Sequence, residues 1–330
     1  MATHDRKTCS AHLVLVAPPI SNTQATYLNQ DNQHIIDRLR SSHFYMICGR
    51  AKATFSNVEP VQDNLIKIEI KLGSGDYSQG FLHIDRMSFF ESAPDSFKLK
   101  MKADMDSFTL YFGNDLVFAT TPDDLLMRRG RKEFLVTGFD NYRELMTFDL
   151  LYVGIAKQNQ DSYSRLIKRG HKARMDILAA EEQRSPGARV SDETYLLLFE
   201  VEPLFLTVFS GAGELDDDDI NFSFDYHRIV ADAEKAVINV FKPKYNKQLY
   251  LNYPKGVDGL YEQDYDGYTY SISEGVAFNT AFGTIKGARE TKELLLSNDA
   301  DFIMVKEDEV TLNLSGGNFN IAVNDPPLEY

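Results

Sequence analysis

Glu234 is the residue whose setting most needs a chemical explanation. In the segment 226–241, Val230, Glu234, Val237, Ile238 and Phe241 fall on one stripe at helical spacing, so a helix there places a carboxylate in an apolar face. A carboxylate in such a place is seldom left without a partner. Two partners suit it: a paired arginine at the core edge, or a divalent cation with oxygen ligands. Segment 162–180 carries the complementary charge. On a helix there, Leu166, Gly170, Ala173 and Ile177 form the packing face, with Arg165, Arg169 and Lys172 together beside it. Guanidinium forks at that spacing match the oxygens of a phosphodiester; the alternative is a solvated basic face. Lys168, Arg174 and, further on, Lys244 extend the positive charge. His171 falls on the opposite margin, near Ile167 and Leu178, unless Gly170 breaks the helix and lets it turn. It is either a proton acceptor or a satisfied core-edge side chain. On the residues alone, Tyr152 lies on one face of a central strand, as a core residue would, and Asn246 stands where it caps the turn after 226–241.

The elements that must position these residues form a mixed pattern. Ile66, Ile68, Ile70 and Leu72 alternate with Lys67, Glu69 and Lys71, and Phe97, Leu99, Met101 and Ala103 alternate with Lys98, Lys100 and Lys102. Period-two alternation predicts antiparallel strands with one buried face. Shorter strands are predicted at 12–16, 44–48, 80–84 and 108–112, with one helix at 32–40, and 123–132 reads as a hinge ending in a basic turn. From about 133 the pattern is α/β: strands at 134–137 and 150–156, a helix at 162–180, strands at 195–201 and 205–209, and a helix at 226–241. Strands return at 268–272 and in a glycine-turn hairpin at 310–314 and 319–323. The expected fold class is α+β. The expected division is a β-rich N-terminal domain (1–132), an α/β core with an antiparallel sheet and flanking helices (133–251), and a β-rich C-terminal region (252–330).

Two segments in the middle carry a resemblance. Asp149-Leu-Leu-Tyr-Val-Gly-Ile-Ala leads to the basic segment, and Glu234-Lys-Ala-Val-Ile-Asn-Val-Phe-Lys-Pro-Lys-Tyr-Asn runs through Pro243 to Asn246. At these residues, within about 136–250, the chain resembles the GIY-YIG nuclease family. Tyr152-Val153-Gly154 looks like the YIG strand, and Glu234, Ile238, Phe241, Pro243 and Asn246 match the family's closing pattern. No Gly-Ile-Tyr precedes Tyr152 at the usual distance, and the nearest candidates, Gly138-Phe-Asp and Tyr142, offer a displaced tyrosine. The resemblance implies a metal-dependent DNA endonuclease, in a restriction or anti-phage setting. It implies Glu234 as ligand to Mg²⁺ or Mn²⁺ and Tyr152 as the favoured base with His171 assisting. Arg165 would stand at the phosphate, and Asn246 would orient Tyr152 or the substrate. Arg165, Lys168, Arg169, Lys172, Arg174 and Lys244 would hold DNA. The rival readings are an inactive nucleic-acid-binding or regulatory protein of the same shape, and an RNase.

Composition narrows the classes further. The chain has 330 residues, 43% hydrophobic and 25% charged, as in ordinary globular proteins, and two or three domains fit its length. Its net charge of −14 argues against a polyanionic partner until the distribution is read. Between Met127 and Arg174 stand eleven Lys and Arg against five acids, while acid concentrates at Glu214 to Asp219. A local basic face suffices to hold a phosphate backbone. Two cysteines leave no disulfide scaffold or cysteine zinc site, and a reducing cytoplasm is the expected compartment. No apolar run is long enough for a membrane span. Phosphate-loop, serine-elbow, His-Glu-x-x-His and Cys-x-x-Cys motifs are absent. The β-rich parts are free to bind a regulator or a second copy of the chain.

Overall fold

The computed structural model describes residues 6–28, 32–62, 64–90, 98–156, 160–208, 224–263, 265–290, 296–317 and 320–322. The expected acid loop at 214–219, and Phe97, lie outside them. The fold is α+β, built on one large curled sheet. Five of its strands matter most: β1 (Arg6–Leu15), β2 (Phe44–Gly49), β3 (Thr147–Ile155), β4 (Thr194–Val208) and β5 (Gly267–Ile272). In space the order runs Gly283–Lys286, Ala277–Thr280, β3, β2, β4, β1, β5, Phe302–Lys306, Glu309–Asn313, Asn320–Ala322, with Ile20–Ser21 also paired to β4. The sheet is mixed, not antiparallel throughout: β1 runs parallel to β5, and β3 parallel to Ala277–Thr280.

This order corrects the expected three-part division. Strands from 1–132, 133–251 and 252–330 interleave in a single sheet, so the boundaries at 132 and 251 cut through hydrogen-bonded neighbours. The two segments expected as separate strands at 195–201 and 205–209 form, as far as Val208, the continuous β4, which pairs with β2 over Thr194–Phe199 and with β1 over Phe199–Val208; residue 209 lies outside the described residues.

β2 shows why the sheet holds its place. All six of its residues are buried, as befits an interior strand covered on both faces. Alternation sends Phe44, Met46 and Cys48 into one core and Tyr45 and Ile47 into another. The polypeptide between β2 and β3 forms two small antiparallel sheets. One is four-stranded, in the order Val136–Gly138, Tyr77–His83, Leu65–Leu72, Ala53–Gln62; the other is Leu99–Ala103, Phe108–Phe112, Asp115–Thr120. Leu65–Leu72 alternates in burial as its sequence predicts. Leu99–Ala103 does so only in part: it is an edge strand in which Leu99 packs on the core while Met101, on the same face, is exposed.

The expected hinge at 123–132 is a helix, α1 (Pro122–Gly130), buried over most of its length. Thr121 caps it and Pro122 opens it. Asp123 explains its burial. Arg50, at the exit of β2, donates Nη2 to Asp123 at 2.7 Å and to the Tyr195 hydroxyl at 3.0 Å, and Nη1 to the Leu145 carbonyl at 2.8 Å. A buried ion pair with its remaining donors satisfied is costly to break from one side, so this cluster fixes the intervening polypeptide to the sheet.

Two further helices face the site: α2 (Lys172–Ala180) and α3 (Tyr226–Phe241). Asp225 caps α3 by accepting from the backbone N–H of His227 at 2.9 Å. The helix ends at Lys242, in the left-handed conformation (φ 47°), just before Pro243, which cannot continue it. Among the described residues no helix is long and apolar enough to cross a membrane.

Candidate active site

β2 and β3 lie side by side and antiparallel, with Tyr45 opposite Gly154 and Ile47 opposite Tyr152. The register brings the two phenols together: their rings are 6.3 Å apart and inclined by only 21°. Gly154 makes this possible. A Cβ there would lie 2.7 Å from the Tyr45 hydroxyl oxygen and 2.9 Å from Cε1 of Tyr152. Tyr45 is wholly buried, whereas Tyr152 is half-buried and reaches a cleft.

The basic segment closes over the pair. Its expected single helix is broken. Ser164–Lys168 makes a wide π-type turn, Gly170 takes φ +72°, and the regular helix α2 starts only at Lys172. A positive φ is cheap only for glycine, so Gly170 is what lets the chain turn. His171 is thereby brought inward, 5.9 Å from the Tyr45 ring and 5.8 Å from the Tyr152 ring. Its Nε2 is 3.4 Å from the Tyr45 hydroxyl, and its Nδ1 is buried with no hydrogen-bond partner. Burial, then the charges of Arg165 and Arg174, hold the imidazole below its usual pKa, so it is neutral at pH 7.

Arg165 and Glu234 set the charge around the phenols. Arg165 donates Nη1 to the Ile155 carbonyl at 2.6 Å, at the end of β3. Glu234, from the middle of α3, makes no ion pair among the described residues. Burial raises its carboxyl to about 7, against the pull of Arg165, the Ile155 N–H and Lys235. Burial also raises both tyrosines, most strongly Tyr45. For Tyr152 the charge of Glu234 adds to the rise, while Arg165 and a hydrogen bond from Tyr45 oppose it. The Tyr152 hydroxyl is thus the easier of the two to ionise. A cleft of about 450 Å³ opens here, lined by Tyr152, Glu234, Asn246, Lys172 and Tyr250 among others.

Asn246 neither caps α3 nor points a side chain at Tyr152. Its Nδ2 donates to the Val153 carbonyl and its Oδ1 accepts from the Val153 N–H, both at 2.9 Å, and the Tyr245 N–H donates to the Leu151 carbonyl at 2.9 Å. Beyond Asp149 no strand among the described residues flanks β3 on this side, and Tyr245 and Asn246 satisfy the backbone that a neighbouring strand would have taken. Asn246 therefore fixes the strand that presents Tyr152.

Of the six residues expected to hold DNA, two are spoken for. Arg174 is buried, donating Nε to Asn22 and Nη1 to the Leu166 carbonyl at 2.7 Å. Lys244 is exposed but donates to Glu181 at 2.7 Å. Lys168, Arg169 and Lys172 are exposed and unpaired among the described residues, and Arg165 is half-buried beside the cleft. Tyr142, the expected displaced tyrosine, sits on the short helix Tyr142–Leu145 beneath Arg129 and takes no part in the cluster. Tyr45 is the residue that sequence reasoning missed. It comes from the predicted strand at 44–48, and its only local signal is a tyrosine within an otherwise apolar strand.

A divalent cation fits this residue set in one way. Glu234 is a largely desolvated carboxylate that shares its cleft with Asp176, and no group of three or more His, Cys, Asp or Glu among the described residues could cage an ion. That suits Mg²⁺, which binds through one or two carboxylates and keeps water or substrate oxygens for the rest, and does not suit a protein-caged zinc. No protein-family model, curated protein or solved structure matches the chain.

Proposed function

We propose that the chain is a metal-dependent DNA endonuclease with a GIY-YIG-like site, in which Tyr45 is the first tyrosine and Tyr152 the second. The observation that carries this reading is the stack of Tyr45 on Tyr152 against His171, with Arg165 and Glu234 acting on both phenols. On this reading the first tyrosine is separated from the YIG strand by the two small sheets, which is why Gly138 and Tyr142 do not supply it.

The chemistry follows from the surroundings of each group. Tyr152 stands at the cleft wall; once its own proton has left to solvent, the phenolate oxygen takes the proton of the attacking water. Tyr45 donates to that oxygen and stabilises its ionised form, and Arg165 does the same through space. Neutral His171 shares the Tyr45 hydroxyl at Nε2 and fixes its orientation. Arg165 has donors left over from Ile155 for the charge that develops on a phosphate. When bound at Glu234, Mg²⁺ or Mn²⁺ would supply Lewis-acid stabilisation of the phosphate oxygens. Lys168, Arg169 and Lys172 hold the flanking phosphates.

The deciding experiment offers supercoiled plasmid and a structured RNA to the purified chain, with Mg²⁺, with Mn²⁺ and with EDTA. Metal-dependent nicking of the plasmid that Glu234→Gln abolishes is the expected result. Cleavage of RNA alone would move the substrate to RNA. Binding without cleavage in any condition would make the chain a binding protein of the same shape.

A further inference from the structure

A second cavity adjoins the cleft, and it has a different chemistry. It measures about 510 Å³ and shares Gln248 and Tyr250 with the cleft that holds Glu234 and Tyr152. Tyr250 therefore stands on the wall between the two. Its backbone is held in the left-handed region, φ 48°, which a tyrosine rarely adopts. Asn239 Nδ2 donates to its carbonyl at 3.0 Å, and the Tyr253 N–H does so at 2.8 Å. The ring is thus presented from a fixed backbone and not from a free loop tip.

The charges of the second cavity are already matched. Lys235 is paired with Asp258, and Lys255 with Asp308 at 2.8 Å. An ion gains little there. The uncharged lining is apolar and aromatic at Leu249, Leu251, Tyr253 and Tyr250, with two carboxamides, Gln248 and Asn252; the Tyr253 hydroxyl is already taken by Asp232. Aromatic rings stack on bases irrespective of sequence, and carboxamides offer donor and acceptor together, as base edges require.

We infer that the second cavity receives the nucleobase beside the scissile phosphate, unstacked from its neighbours and laid against Tyr250, so that the substrate is DNA with an unpaired nucleotide at the cut. This rests on the endonuclease reading and adds the structure of the substrate to it. A base within an intact duplex cannot enter a cavity without leaving the stack, and that cost is smallest where the nucleotide is already unpaired.

Binding in EDTA tests the inference without cleavage. Fluorescence anisotropy of the full chain would compare three labelled oligonucleotides: a perfect duplex, the same duplex with one unpaired nucleotide, and that duplex with the unpaired nucleotide abasic. The unpaired nucleotide should raise affinity roughly tenfold over the duplex, and its abasic version should lose the gain. Tyr250→Phe should keep the gain and Tyr250→Leu should remove it. Gln248→Ala, a change at an exposed side chain, should reduce it as well, and serves if Tyr250→Leu does not fold. Equal affinity for all three oligonucleotides, or a gain that survives both Tyr250→Leu and Gln248→Ala, would overturn the inference. If the chain then still nicks duplex plasmid, the endonuclease reading stands without it. If the chain binds no DNA, both fall.

Discussion

The Tyr45 hydroxyl lies 3.4 Å from Nε2 of His171 across 126 residues of sequence, and both rings pack on Tyr152. Neither residue is near the other in the chain, and each is placed by a different device: a strand buried on both faces for Tyr45, a glycine turn for His171. If the cluster is catalytic, its parts should fail in distinguishable ways.

Tyr152→Phe should lower single-turnover cleavage by roughly a hundredfold or more, the scale of losing a general acid–base group. DNA affinity should hardly change, and the melting temperature should fall slightly, since the buried Tyr45 hydroxyl loses one hydrogen-bond partner. Tyr45→Phe should also slow cleavage, and in addition cost about 1 kcal/mol of stability, because its hydroxyl is buried and hydrogen-bonded. Single-turnover rates and thermal melts on both variants check this; full cleavage by Tyr152→Phe would remove it as the base.

Glu234 makes a prediction in pH. Its ordinary value is 4.5 and its value in the fold is about 7. Folding therefore favours the protonated form: its contribution to stability is fully present below 4.5 and is lost as pH rises through 7. By pH 8 the loss is on the order of 3 kcal/mol. Glu234→Gln cannot ionise, so it should melt higher than the wild type near pH 8 and alongside it near pH 4. Mg²⁺ added near pH 8 should raise the wild-type melting temperature and leave the variant where it was. Parallel melts across pH would show Glu234 to be solvated after all.

DNA affinity should fall steeply with salt in spite of the −14 net charge, because the contacts come from one face. Arg169→Ala and Lys172→Ala should each weaken binding and flatten the slope of log K against log salt. Lys244→Ala should leave the slope unchanged, since Glu181 already occupies that ammonium. Arg174→Ala should lose stability before it loses affinity, because it empties a buried, hydrogen-bonded site. Equal slopes in the wild type and the Arg169 and Lys172 variants would leave that face merely solvated.

The helix Tyr226–Phe241 was legible to the residue, because apolar periodicity, an aspartate cap and a following proline all act within one segment. Gly154 and Asn246 were visible as motif residues, but what they do was not. Asn246 acts on Val153, and Gly154 makes room for Tyr45, and both relationships exist only once the strands are paired. Tyr45 was hidden for the same reason. The polypeptide between β2 and β3 carries its own sheets, so distance along the chain says nothing of the distance across the ladder. The alternation at 97–103 misled in the opposite direction: period two marks a strand, but whether anything covers its apolar face depends on neighbours that the segment does not contain.

Gly154 offers a test of geometry alone, since it carries no chemistry of its own. Gly154→Ala adds one methyl group, 2.7 Å from the Tyr45 oxygen and 2.8 Å from its Cζ. The obstacle is a buried ring anchored in an interior strand, which cannot swing aside as an exposed side chain would. Either β2 and β3 separate slightly or Tyr45 tilts, and in both cases the two phenols part. A displacement of about an ångström at a reacting group costs on the order of a hundredfold in rate. The charges of Arg165, Arg169 and Lys172 are untouched, so DNA affinity and its salt slope should remain. Overpacking of a core contact should lower stability by about 1–3 kcal/mol. Restoring space from the other side, as Tyr45→Phe does by removing the oxygen nearest the new methyl, should recover part of that stability without recovering cleavage. A double variant as stable as Gly154→Ala alone would place the strain elsewhere. A Gly154→Ala variant that cleaves at the wild-type rate would mean that the stacking of Tyr45 on Tyr152 is packing and not chemistry.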